Sequence, residues 1–482
     1  MQERIDGIVV RGSRRPRSSP KNPKTKARKK PKKLQEFAEK LEGYEFEFFK
    51  DMEIAVIKDL KEEISTLEDE RDESYVWHKL EDVILITLFA VMANCDDWYQ
   101  IPMFAEAHRE WFETFLSLPN GIPTENTIKI IISKIDPNKL YGLVVSFLIN
   151  RIENRIRGSG TADGGEMRGT GLTENDGMPG TDAGSIGNDV KADEKGLINL
   201  DGKASRSSKR KATDQKEGQA ALNTLNAYSS DYGMTIAQEF IPDKKSEIEY
   251  APKLLGNIDI QGAIVTADSL NTQTKTVEAI IAGGADYVLP VKGNHPTLHG
   301  DLQVIFDERR LDDIRNDENN NETYTCTEER EHGETVKREC FLIPKVEGLY
   351  KAESWDGLET IGLVHKTVTK TDQKTKTPIN VYEDRFYISS VLSITDFSRA
   401  TRGHWAVEGL HWHLDYTFHD DQNKTTAGNG AEGLQIFKKL ALNILKMAQA
   451  VNPKRMSIRK LRFMLSLSYE DMISNILSLL AV

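Results

Sequence analysis

Apolar residues recur at helical spacing from Trp77 to about Ile156, through "KLEDVILITLFAVMANCDDW", "IPMFAEAHREWFETFL" and "NKLYGLVVSFLINRI". That period predicts a block of packed helices. In "GIPTENTIKIIISKI", Thr124 stands where an N-cap is expected. Residues 35–70 are also helical in pattern and acidic. The pattern stops at 157–195, a Gly-, Asp- and Thr-rich stretch almost without large apolar side chains. Such a stretch cannot bury enough surface to fold and reads as a disordered insertion. Beyond it come short runs of strand type, "GLINLD", "AALNTLNAYSS", "MTIAQEFI", "GAIVTAD" and "DYVLPVK". Helical stretches "SEIEYAPKLLGNI" and "TKTVEAIIAGG" separate the later ones. This alternation predicts a mixed α/β sheet. Residues 296–380 turn polar and irregular, with strands expected at "ECFLIP" and "ETIGLVHKTV"; "RFYISS" follows, and helices return from Ser393.

Composition adds a bias of charge to this outline. The chain has 482 residues, enough for two or three domains, with 38% hydrophobic and 29% charged residues. Residues 1–34 hold 13 Lys and Arg against Glu3 and Asp6, a net +11, which leaves −22 for the remainder of a chain whose total is −11. A Pro- and Lys-rich tail of that charge is expected to be disordered and to meet a polyanion. The longest apolar run, Val83–Ala93, is too short to span a bilayer, and no apolar segment of signal-peptide type follows the basic start, so no membrane partner is expected. Three scattered cysteines, Cys95, Cys326 and Cys340, give neither zinc spacing nor a disulfide framework, which fits a reducing compartment. The Gly-x-x-x-x-Gly-Lys spacing of a P-loop and the Gly-x-Ser-x-Gly elbow of acyl hydrolases are absent.

Candidate chemistry concentrates in "RGHWAVEGLHWHLDYTFHDD", residues 402–421. On a regular helix, His404, Glu408, His411 and Asp415 fall on one face. "EGLH" has the Glu-x-x-His spacing of di-iron bundles, but its one counterpart, Glu329 to His332, lies in a hydrophilic stretch without an apolar stripe. Two aspartates offer another partnership. Asp201 ends "GLINLD" and Asp268 ends "GAIVTAD", each at the carboxyl end of a predicted strand, where α/β sheets carry functional groups. Alone, each is an ordinary cap or turn residue. Two of them converging with Glu408 would repel one another unless divalent cations intervened, and oxygen ligands suit Mg²⁺ or Mn²⁺. Two such ions clamp the attacking and leaving oxygens of a phosphodiester displacement.

From Trp77 to Leu479 the chain resembles the DDE transposases with a ribonuclease-H-like core, in the H-repeat-associated insertion-sequence branch. The resemblance is carried by the order and spacing of "DDWYQIPMFAEAHREWF", "NGIPTENT", "LDGKASR", "GAIVTADSLNTQ", "GGADYVLPVKGNHPTLHGDL", "EHGE", "RFYISS", "RGHWAVEGLHWHLDYTFHDD" and "LALNILK". It implies that Asp201, Asp268 and Glu408 are catalytic and hold two Mg²⁺ or Mn²⁺ ions. It implies a catalytic domain over 196–482, with 296–380 inserted before the Glu-bearing helix. The helical region that the residue pattern predicts over 35–156 is, by the resemblance, of H-repeat-associated type from about residue 77. The activity implied is strand cleavage and strand transfer on double-stranded DNA by an oligomer, in the nucleoid of a bacterium or the nucleus of a eukaryote. DNA contacts are expected from Lys203 in "DGK", Lys292 and Asn294 in "VKGN", and Arg402 and His404. Trp405 and Trp412 are expected to pack the Glu408 helix onto the sheet. The chain departs from the family pattern at four positions: Asp415 stands where the wider group carries a Lys, Gly409 and Gly433 where the branch has Asn, and Val336 where a Glu is usual. These motivate the alternative of a non-catalytic, domesticated DNA-binding protein of the same fold.

Overall fold

The computed structural model describes residues 31–40, 50–72, 74, 76–157, 195–209, 220–331, 334–371, 377–423, 425, 430–451, 456–467, 473 and 476–477. Most of the basic tail and nearly all of the Gly-rich insertion, as bounded from sequence, lie outside these residues.

Among the described residues seven helices precede the sheet: α1 (Lys32–Lys40), α2 (Lys50–Ser65), α3 (Leu80–Met92), α4 (Gln100–Ala107), α5 (Arg109–Phe112), α6 (Glu125–Lys134) and α7 (Pro137–Arg157). α1 begins within the last residues of the charged segment, and Leu34 and Phe37 are buried. α3 is apolar on nearly every face because it is buried on nearly every face, under α2, α4, α6 and a later helix. The Thr124 hydroxyl accepts from the Thr127 amide and caps α6.

The sheet strands are β1 (Leu197–Ser205), β2 (Leu222–Ser229), β3 (Met234–Ile241), β4 (Ile264–Ala267), β5 (Asp286–Val291), β6 (Tyr324–Glu331), β7 (Glu334–Pro344), β8 (Thr360–Thr371) and β9 (Pro378–Ser389). Helices α8 (Glu247–Gly256), α9 (Thr274–Ala282), α10 (Pro296–Ile305) and α11 (Glu308–Asn316) lie between strands, and α12 (Ile394–Gly403), α13 (Ala406–Trp412), α14 (Gly430–Val451) and α15 (Ile458–Leu467) follow them. The spatial order is β3-β2-β1-β4-β5-β9-β8-β7-β6. β2 runs against β1 and β3, while β4 and β5 run parallel to β1. The first five strands therefore have the ribonuclease-H-like order. The polar 296–380 segment supplies α10, α11 and β6 to β8. With β9 these strands form an antiparallel meander that joins the sheet at β5.

One face of the sheet is covered by α8, α9 and α10, and α12 packs across β1, β4, β5 and β7. On the other side, the N-terminal helices share one core with α13, α14 and α15. α14 is the hub of that core. Gly433 lets it press on α6, since a Cβ there would lie 2.4 Å from Ile132 Cγ2. The Asn usual in the branch does not fit this contact without a shift. Val336 is likewise buried in β7. Gly409 faces open space. Among the described residues no helix is long and apolar enough to cross a membrane.

Candidate active site

The site starts from strand register. Leu200 of β1 pairs with Ala267 of parallel β4, so the next residues, Asp201 and Asp268, emerge side by side on strands about 4.8 Å apart. β4 ends there while β1 continues along β2 to Ser205, so the two carboxylates stand where the parallel pair opens. Burial, then the negative charges of Asp268 and Glu247, push the Asp201 carboxyl up to about 7; its bond from the Gly202 amide (2.9 Å) and Lys244 only partly oppose this. Asp268 Oδ1 accepts from the Asn271 amide at 3.1 Å, and its Oδ2 lies 4.0 Å from Lys244 Nζ.

α13 packs on β1 and carries the third candidate carboxylate, Glu408. Val407, Leu410 and Leu414 face the core, and His411 turns toward Asp201, its Nδ1 3.5 Å from Oδ2. Burial, reinforced by Lys203 and Lys439, pushes His411 down to about 3, so the ring is neutral. Glu408 lies one turn earlier and is exposed. Its carboxyl is raised by partial burial, with Arg385 of β9 opposing. Among the described residues no group of three or more His, Cys, Asp and Glu side chains is arranged to hold a metal ion.

Trp405 and Trp412 do not pack the helix onto the sheet. They are 47% and 54% exposed, on the face opposite Val407 and Leu410. Trp412 stacks on exposed Tyr416 (5.4 Å, 22°), and the Arg385 guanidinium lies 5.0 Å above the Trp405 ring. The aliphatic residues fill the core face, and a π-helical turn at His413–Thr417 leaves the large rings outside. The single face expected for His404, Glu408, His411 and Asp415 is also divided. The π turn directs Asp415 to Lys203, and His404 precedes the helix.

The predicted DNA-contact residues separate into two groups. Lys203 is buried, with Asp415 at 2.6 Å, Asp420 at 3.0 Å and Asp421 at 3.8 Å. Asp415, a position where the wider group carries Lys, is thus the partner of a lysine from β1. Burial disfavours the Asp420 anion, but Lys203, Lys438 and Ser205 outweigh it and hold the carboxyl at about 2. Lys203 therefore ties β1 to the residues after α13, and its charge is met inside the fold. His404 is neutral as well: burial pushes it down to about 4. The Thr266 hydroxyl donates to Asn199 Oδ1 (2.7 Å), so the His404 Nδ1 at 2.9 Å is assigned as donor to Thr266. Lys292 and Asn294 are exposed in the turn after β5, where Asn294 Nδ2 donates to Ser269 O at 2.5 Å and braces the Asp268 turn. Arg402 is exposed and paired with Glu329 of β6 at 2.5 Å. Glu329 is on a strand, which removes the second helical Glu-x-x-His unit of a di-iron site; His332 lies outside the described residues.

Glu247, Lys244, Asn271 and Arg385 also border these carboxylates, and no sequence motif marks them. Glu247 opens α8, a position where an acidic residue reads as complementing the helix dipole. Its proximity to Asp201 depends on tertiary packing, and no local pattern announces it.

A family model described as "Transposase DDE domain" matches residues 187–444, and one described as "DDE_Tnp_1-associated" matches residues 61–148. The "H repeat-associated putative transposase YhhI" of Escherichia coli K12 is 29% identical over 394 residues, 81% of this chain and 90% of its own. The "Putative transposase YncI" of Escherichia coli O157:H7 is 27% identical over 393 residues, 81% and 88% of the two chains. Among solved structures, a piggyBac transposase synaptic complex with hairpin DNA aligns over 92% of this chain and 81% of its own, at 10% identity and a TM-score of 0.30, too weak a likeness to bear on the fold.

Proposed function

The chain belongs to the transposase DDE domain family, and we propose that it is a metal-dependent DNA transposase that cuts strands at the ends of an element and joins them to a target. The observation that carries the reading is Asp201 beside Asp268 where β4 leaves β1, with Asp201 held at about 7. Asp201, lifted this far by burial and then by the charges of Asp268 and Glu247, with Lys244 no nearer than 4.0 Å to Asp268, forms with Asp268 a donor set suited to a hard divalent cation. Asp201, Asp268 and Glu408 would hold two Mg²⁺ or Mn²⁺ ions. The ions would lower the nucleophile's pKa and stabilise the leaving oxygen.

The protein's own residues bind and orient. Lys292, Arg385 and Lys244 give the mouth of the site positive charge for the phosphate backbone. Trp405, Trp412 and Tyr416 offer aromatic faces next to Glu408 on which bases can stack. Neutral His411 and His404 bring no positive charge to the aspartates. In cleavage, a water oxygen bonds to the scissile phosphorus, the bond to the 3′ oxygen breaks, and that oxygen leaves as a hydroxyl. In transfer, the hydroxyl bonds to a target phosphorus and a second bridging oxygen leaves. Joining two ends to one target is work for an oligomer on double-stranded DNA.

One observation favours a second reading, a domesticated DNA-binding protein without turnover: Glu408 points to solvent and does not complete a three-carboxylate cluster. Purified protein with labelled duplex from the DNA flanking its own gene separates the two. Nicking that needs Mn²⁺ or Mg²⁺ and leaves a 3′-hydroxyl is the expected result. Specific binding of that duplex without nicking at any metal concentration supports the second reading.

A further inference from the structure

Asp268 makes more hydrogen bonds than a helix cap requires. It opens the single turn Ser269–Asn271, and its Oδ1 accepts from the Asn271 backbone amide. That bond alone satisfies a cap. The same oxygen also accepts from the side-chain Nδ2 of Asn271 at 3.0 Å, and this Nδ2 donates at 2.9 Å to Glu247 Oε2. Both hydrogens of one amide group are therefore given to two carboxylates. Asn271 is 0% exposed and Glu247 is 1% exposed. The amide cannot be turned over, because its oxygen would then face two carboxylate oxygens. As it stands, Asn271 Oδ1 is buried without a hydrogen-bond partner. Leaving that oxygen unmatched is a penalty the fold tolerates in order to keep the NH₂ between Asp268 and Glu247.

Glu247 is held as closely. Its Oε1 lies where a Cβ on Gly202 would be, 2.0 Å away, so the residue after Asp201 has to be glycine for Glu247 to sit there. The turn itself has other anchors. Asn294 Nδ2 donates to Ser269 O, and the Thr272 hydroxyl donates to Pro290 O at 2.8 Å. The Asn271 side chain is thus free to act on the orientation of Asp268 while the turn is held elsewhere.

We infer that Asn271, braced by the buried carboxylate of Glu247, is a positioning residue that saturates Asp268 Oδ1 and leaves Oδ2 as the oxygen presented to a divalent cation. Lys244, 4.0 Å from Oδ2, marks that oxygen as the outward one. The inference rests on the metal-dependent reading above. It assigns to this chain an outer partner of the kind that typically changes metal affinity by roughly 10- to 100-fold.

The test is Mn²⁺ binding to the full chain without DNA, followed by the electron paramagnetic resonance of free Mn²⁺. Asn271→Ala and Glu247→Leu should each weaken binding by roughly 10- to 100-fold. Glu247→Gln, which keeps an oxygen for Asn271, should bind close to the unsubstituted protein. In an Asp268→Asn background, Asn271→Ala should add no further loss, since it acts through Asp268. A structural role would instead lower the unfolding midpoint and weaken binding equally in both backgrounds. Unsubstituted protein that binds Mn²⁺, with Asn271→Ala binding as tightly, overturns this inference alone. Unsubstituted protein that binds no Mn²⁺ overturns the metal-dependent reading and this inference with it.

Discussion

Replacing Asp201 with Asn should make the metal-free protein more stable at pH 8 while making it useless for cleavage. The Asp201 carboxyl is raised from 3.8 to about 7 by burial and by Asp268 and Glu247. The native state therefore binds this proton more tightly than the unfolded chain. As pH rises from about 4 to about 7 the unfolded chain has lost the proton and the native state still holds it, so stability falls through that window and the loss is complete above it. Three decades of proton affinity, at about 1.4 kcal/mol each, put the loss near 4 kcal/mol. That is a ceiling, because the side chain keeps 19% of its accessibility. The facing groups are Asp268 after β4, Glu247 and Lys244 near the start of α8, and His411 on α13, which is neutral throughout the window. Asn can keep the bond from the Gly202 amide and carries no charge. In urea unfolding with chelator present, Asp201→Asn should exceed the unsubstituted protein by about 1–4 kcal/mol at pH 8 and by little at pH 4. Mn²⁺ at pH 8 should stabilise the unsubstituted protein and leave the variant nearly unmoved. A variant no more stable at pH 8, or one offset equally at both pH values, would show that the Asp201 carboxyl is not raised in the native state.

Three other outcomes are expected. Arg462 of α15 is buried, bonded to Asp96 at 2.6 Å and to the carbonyls of Val91 and Thr417, with Phe418 beneath it. Arg462→Met should destabilise by about 3–5 kcal/mol in urea, because Asp96 is left with His419 alone; a change below 1 kcal/mol would contradict the buried pair. Trp412→Ala should leave stability within about 0.5 kcal/mol. It should weaken duplex binding by about 1–3 kcal/mol in fluorescence anisotropy, and unchanged affinity would remove Trp412 from the DNA face. Removing residues 1–30, which leaves α1 and buried Leu34 in place, should flatten the salt dependence of DNA binding by about 0.9 in log–log slope for each phosphate that the tail neutralises. An unchanged slope means that the tail does not touch DNA.

The sequence made the sheet readable where strands are apolar. "MTIAQEFI" coincides with β3, and the terminal Asp of "GLINLD" and of "GAIVTAD" stands where parallel strands diverge. β6, "YTCTEERE", carries no strand signal because an edge strand paired on one side needs no apolar face. Lys203 reads as a free DNA contact because "LD" before it looks like a strand end. β1 instead continues past it along β2 and points its amine at Asp420, 217 residues away. Size alone assigns Trp405 and Trp412 to the core, but Val407, Leu410 and Leu414 already occupy the inner face of α13. The contact of Glu247 with Gly202 lives only in the packing of α8 on the sheet at β2 and β3, and no periodicity encodes it.

The proposed metal-dependent strand cleavage by Asp201, Asp268 and Glu408 calls for one experiment above the others: cleavage of labelled end-containing duplex in Mn²⁺ by Asp201→Asn, Asp268→Asn, Glu408→Gln and His411→Gln, with binding of the same duplex measured alongside. Each carboxylate variant should lose cleavage by orders of magnitude and keep its binding, while His411→Gln, a neutral residue beside Asp201, should lose far less. Equal losses for Glu408→Gln and His411→Gln, with full cleavage by Asp201→Asn, would contradict the account.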